Sequence, residues 1–136
     1  MTARAHLTAS TTGDDHRVAL EDGAGHLWHA DEPASLGGGD TAPTPDHLLL
    51  SALGACTAIT LRMYAARKQW PLEGVEVDLA LDPDGKPASG TDIARAITLR
   101  GPLDADQRER LLQIANACPI HKVLTGEVRI ASALTV

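Results

Sequence analysis

Pro45-Asp46-His47-Leu48-Leu49-Leu50-Ser51-Ala52-Leu53-Gly54-Ala55-Cys56-Thr57, running on to Lys68, is the stretch whose period decides the fold. Thr44 is placed to cap a helix, and Pro45 falls at the first helical position, where a missing N–H is no loss. Leu48, Leu49, Leu50, Ala52, Leu53, Ala55, Cys56, Ala58, Ile59 and Leu61 then cover most of the helical circumference. A helix apolar nearly all round is predicted to lie inside, covered on several sides. Ser51, Thr57, Thr60 and Arg62 interrupt it, so it reads as a buried helix and not a membrane span. Trp70-Pro71 ends it.

Strands are expected on both sides. Before the helix, Arg4 to Thr11, Arg17 to Asp22 and Gly25 to Glu32 are short runs separated by Gly13-Asp14-Asp15 and Asp22-Gly23, the pattern of a meander. Gly37-Gly38-Gly39-Asp40 forms a loop. After the helix, Val75 to Asp82 alternates, with Val75, Val77, Leu79 and Leu81 on one side. Asp82-Pro83-Asp84-Gly85 turns the chain, and Ile93 to Arg100 is a further strand with Ile97 and Leu99 inward. Asp104 and Gln107 have the spacing of a capping box and open a second helix. Leu111, Ile114, Ala115 and Cys118 share its apolar face, and Pro119 is expected to stop it. Glu127 to Val136 is expected to close the chain as a strand. The sum is one α+β domain.

Composition narrows the function. The 136 residues are 43% apolar, but Trp28, Trp70 and Tyr64 are the only aromatics, so the core is built of small aliphatic side chains. With 12 Lys+Arg against 18 Asp+Glu the net charge is −6, which disfavours nucleic acid. The basic residues form no run for an anionic membrane. No basic start leads into an apolar stretch at the N-terminus, so a cytoplasmic protein with reduced thiols is expected.

That leaves two cysteines. Each is on an apolar helical face, where a plain packing role is the simplest reading. Cys118, taken as the end of the second helix, has a dipole that opposes a thiolate, so it suits a second nucleophile better than a first. Cys56, mid-helix, needs a cation supplied by folding. The chemistry such a pair supports is peroxide reduction: one thiolate becomes a sulfenic acid, the other thiol condenses with it, and an external thiol restores both. Cys118-x-x-His121 with Cys56 and His47 is a conceivable zinc set, but Pro119 argues against it. Neither a metal nor another cofactor is expected.

Two motifs carry a resemblance. The segment Pro45 to Thr57, with Leu48-Leu49 running into Ala52-Leu53-Gly54-Ala55-Cys56-Thr57, resembles the central helix of the OsmC/organic-hydroperoxide-resistance (Ohr) family. Cys118-Pro119-Ile120-His121-Lys122, with Leu124-Thr125-Gly126, resembles that family's second signature. Asp31-Glu32-Pro33 and Lys68-Gln69-Trp70-Pro71-Leu72-Glu73-Gly74-Val75 fit as well, so the likeness runs from about Arg17 to Ile130. It implies the OsmC-like fold, an intertwined homodimer with antiparallel sheets around a long central buried helix plus a second helix.

The resemblance also implies roles. Cys56 is the peroxidatic residue and Cys118 the resolving one; the substrate is a small organic hydroperoxide and the reductant a dithiol such as dihydrolipoamide. Asp46 stands where the family's catalytic Glu stands, ten positions before the first Cys. Ten helical residues rise about 15 Å, so on one straight helix Asp46 reaches only the Cys56 of an antiparallel partner. The family's arginine comes from the N-terminal region, and Arg17 is nearest by position, with His47 and His121 as substitutes. A rival expectation is the same fold as a binding or redox-sensing module without turnover.

Overall fold

The computed structural model describes residues 3–136. The chain forms two compact units, the first running to Leu49 and the second from Leu50 onward. In the first, β1 (Thr8–Thr11), β2 (Val18–Glu21) and β3 (Leu27–Ala30) make an antiparallel meander in the order β1-β2-β3. The strands are shorter than the sequence runs suggest.

Beyond β3 the chain makes a single 3-10 turn (Ala34–Leu36) and a glycine loop folded around Asp31. This carboxylate is buried, yet fully paired. Its Oδ1 accepts from the N–H groups of Glu32 (2.8 Å) and Gly39 (3.3 Å). Its Oδ2 accepts from the N–H (3.1 Å) and hydroxyl (2.7 Å) of Thr41. Gly38 is required there, since a Cβ at that position would fall 2.0 Å from the Glu32 carbonyl oxygen.

The long helix, α1, spans Pro45–Lys68, as its pattern predicts. The Thr44 hydroxyl accepts from the His47 N–H and so caps it. Its buried residues, Leu53, Thr57, Leu61 and Ala65, form one stripe at four-residue spacing. Ile59 and Met63 remain exposed in the single chain, so the expectation of cover on several sides is not met by one copy alone. α1 is long and apolar enough to cross a membrane by length and composition alone, a test that a core helix of a globular protein also passes.

In the second unit β4 (Gly74–Leu81) and β5 (Ile93–Arg100) pair antiparallel over their full length, Gly74 opposite Arg100 and Leu81 opposite Ile93. Leu61 and Ala65 of α1 pack with Leu72, Leu103, Leu111 and Ala115 to form the core. Gly54 lets α1 approach β4: a Cβ there would come within 2.8 Å of Leu79 Cδ1. The second helix, α2 (Ala105–Ala115), starts at the predicted capping box, with Asp104 accepting from the Gln107 N–H and Gln107 accepting from the Asp104 N–H.

Two expectations fail beyond this point. The helix carrying Leu111 and Ala115 does not continue to Cys118. It ends at Ala115, with Asn116 as C-cap, and a third helix, α3 (Pro119–Thr125), begins at once. Cys118 is the N-cap of α3, with extended φ/ψ of −65° and 142°, and Pro119 opens the helix instead of stopping one. The final strand is absent too. Residues 127–136 pair with no strand among the described residues, and Ile130 and Leu134 are 87% and 95% exposed. A strand exists only where a neighbour supplies the ladder, and a single copy offers none.

Candidate functional site

The second unit holds both cysteines, and an arginine the sequence reading passed over joins the segments that carry them. Arg95 lies on β5 in the inward register of Ile93, Ile97 and Leu99, all half-buried. An arginine at an inward position of an alternating strand needs acceptors, because the guanidinium has only donors. Nη1 donates to Thr57 Oγ1 (3.0 Å) and makes a long contact with the Ala115 carbonyl (3.5 Å). Nη2 donates to Asn116 Oδ1 (2.9 Å) and to His121 Nδ1 (3.2 Å). Alternation in the run from Ile93 to Arg100 was the signal that could have found it.

Each partner is held in turn. Thr57 is wholly buried, and its hydroxyl donates to the Leu53 carbonyl at 2.7 Å, leaving the oxygen to accept from Arg95. Thr57 directly follows Cys56. Asn116 and His121 stand on either side of Cys118. The His121 N–H also donates to Cys118 Sγ at 3.3 Å. Burial, and to a lesser degree the Arg95 charge, hold the His121 imidazole below its ordinary pKa of 6.5. The ring is therefore neutral at pH 7, and Nδ1 is its acceptor nitrogen.

The cysteines differ in access. Cys56 is half-buried, with Thr60 Oγ1 at 4.0 Å from its sulfur. Cys118 is fully buried and accepts an N–H at a helix N-terminus. The sequence argument that a C-terminal helix dipole opposes its thiolate therefore fails, because the helix end was assigned with the wrong polarity. Both thiols are free.

The remaining expected residues lie elsewhere. Asp46 is exposed in the first turn of α1, and His47 Nδ1 is 2.7 Å from Thr44 Oγ1 beside it. Arg17 belongs to the first unit, where its Nη1 donates to the Thr41 hydroxyl, the same hydroxyl that donates to Asp31. Those bonds to Asp31, first that of the Thr41 hydroxyl and then that of the Glu32 N–H, lower its carboxyl from 3.8 to about 2. Among the described residues no three His, Cys, Asp or Glu side chains converge as a metal-binding group.

The comparisons with known proteins agree with this fold. The family model for OsmC-like proteins matches residues 37–133, and the chain belongs to that family. Among solved structures, an OsmC-like protein from Mycoplasma pneumoniae is 19% identical, covering 93% of this chain and 90% of its own, with a TM-score of 0.77. An organic hydroperoxide resistance protein, OsmC, from Legionella pneumophila is 23% identical over 93% and 92% of the two chains, with a TM-score of 0.65. An organic hydroperoxide resistance protein from Elizabethkingia anophelis, solved with thiocyanate bound, is 17% identical over 93% and 91%, with a TM-score of 0.66. No curated protein matches the chain.

Proposed function

We propose that this protein is a thiol-dependent peroxidase for small organic hydroperoxides. One observation carries the reading: the Arg95 guanidinium ties Thr57, which follows Cys56, to Asn116 and His121, two residues before and three after Cys118. A two-cysteine cycle needs two thiols on one framework with a cation in it, and a cation that joins the neighbours of both cysteines supports that reading.

The difference in access sets the order of events. The sulfur of Cys56, the more accessible thiol, attacks the outer peroxide oxygen as thiolate. The O–O bond breaks, the alkoxide takes a proton and leaves as alcohol, and Cys56 is left as sulfenic acid. The Cys118 thiol then attacks that sulfur. An S–S bond forms, and the sulfenic oxygen leaves as water. A dithiol such as dihydrolipoamide reduces the disulfide and is itself oxidised to one. Burial of Cys118 keeps peroxide from consuming the resolving thiol first. In this reading Asp46 keeps the carboxylate role that the family resemblance gives it, while Arg95 is the main cation and Arg17, which the resemblance puts in that role, has the smaller effect.

The working form is a homodimer. Ile59 and Met63 on α1 are exposed apolar residues, and Val128, Ile130, Leu134 and Val136 fall at alternate positions of an unpaired tail. A second copy that supplied the missing ladder would cover them. Sedimentation of the full chain should give a dimer, and removal of residues 127–136 should give monomer or aggregate; an unchanged dimer would mean the tail is not part of the interface. The activity itself is tested by following consumption of an alkyl hydroperoxide with reduced dihydrolipoamide as electron donor. Absence of turnover by the folded dimer would leave the redox-sensing or binding reading in its place.

A further inference from the structure

The Arg95 cluster borders a cleft of about 380 Å³ in the second unit, which neither cysteine lines. Leu53, Ile93, Ile97, Leu112 and Leu124 give it apolar walls, and Arg95, Asn116 and His121 stand among them. None of the residues lining it is acidic.

The bonding within the cluster determines what those polar groups have left to offer. A guanidinium cannot accept, so Asn116 must turn its oxygen and His121 an unprotonated nitrogen toward Arg95. The remaining group on Asn116 is its NH2, a donor. The remaining nitrogen on neutral His121 is Nε2, which carries the proton and is also a donor. Arg95 thus takes up the acceptors and leaves donors. Its own charge is met by a hydroxyl, an amide oxygen, a carbonyl and a neutral imidazole. Each is a dipole, and none cancels a full charge.

From this arrangement we propose that the cleft is a binding site for a small carboxylate with an apolar body. The carboxylate takes the charge of Arg95 and the N–H donors of Asn116 and His121, and the aliphatic part lies on the leucine and isoleucine walls. A charged partner adds to the attraction, since charge-assisted hydrogen bonds are about twice as strong as neutral ones. The site shares Arg95 with the framework that joins the cysteine-bearing segments, and its occupancy is measured without peroxide.

The test is calorimetric titration of the reduced, full-length protein with hexanoate, with 1-hexanol as the neutral probe of equal chain length. The expected result is saturable binding of one hexanoate per chain, at least about tenfold tighter than hexanol. Arg95→Gln should weaken it by a similar factor. Asn116→Asp provides a second test that does not remove the arginine: the new carboxylate keeps the bond to Arg95 and neutralises it, so hexanoate binding should vanish while the thermal midpoint holds or rises. Equal binding of hexanol and hexanoate, undiminished hexanoate binding by Asn116→Asp, or no saturable binding at all would overturn the proposal. A protein that binds hexanoate but leaves alkyl hydroperoxide untouched would keep this site and remove the peroxidase reading.

Discussion

Arg17 in the first unit and Arg95 in the second each centre a cluster of hydrogen bonds, and the two are wired in opposite ways. In the first, Arg17 donates to Thr41, and Thr41 donates to Asp31, so a cation and a carboxylate share one hydroxyl. Asp31 gathers three backbone N–H groups besides, and the result is a closed loop with its charges offset. In the second unit Arg95 meets only neutral acceptors, and its charge is not offset. A part-buried cation without an anion is unfavourable for stability. The first cluster shapes a loop; the second leaves a charge available beside both cysteine-bearing segments.

The largest effect should come from the more accessible thiol. Cys56→Ser should lower peroxide consumption by about three orders of magnitude, measured with the dithiol in excess. Full activity in that variant would end the peroxidase account.

The comparison between arginines is tested next. Arg95→Gln should slow turnover by about a hundredfold, the scale expected if the charge that joins the cysteine-bearing segments stabilises the reacting thiolate. Arg17→Gln should slow it less, because Asp31 already draws on that charge through Thr41. The reverse order would make Arg17 the activating cation.

Acid should separate the clusters by pH. The folded-state pKa of His121 is depressed, so its stabilising effect is complete above about 6.5 and is lost as pH falls below that value. Asp31, lowered from 3.8 to about 2, contributes stability that is complete above 3.8 and is lost as pH falls through about 2. Histidine and threonine resonances followed by NMR should show the Arg95 cluster loosening first. Simultaneous loss of both would mean that the two are not independent.

Smaller effects concern stability. Thr57→Val keeps the shape but takes the hydroxyl from Arg95, and should lower unfolding free energy by about 2 kcal/mol in urea titration. Asp104→Ala removes the cap at the end of α2 opposite Asn116 and should lower it by about 1 kcal/mol with turnover unchanged.

Much of the architecture was legible in the sequence because it rests on local pattern. Pro45–Lys68, the alternation of β4 and β5, and the capping box at Asp104 are read from neighbours in the chain. Cys118 was misplaced because a Pro can end one helix or begin another, and only the extended backbone before it decides between them. The tail from Glu127 has strand composition but no ladder, since pairing is a property of two segments. The site was half visible. Both cysteines stand in distinctive motifs, whereas Arg95 acquires meaning only when Thr57, Asn116 and His121 are folded around it.

The central claim is that Cys56 and Cys118 act as one redox pair. The most direct measurement is the intact mass of fully reduced protein after brief exposure to one equivalent of tert-butyl hydroperoxide, followed by peptide mapping. The account predicts loss of two hydrogens, located to a bond between Cys56 and Cys118. An unchanged mass, or a bridge that excludes either cysteine, would contradict it.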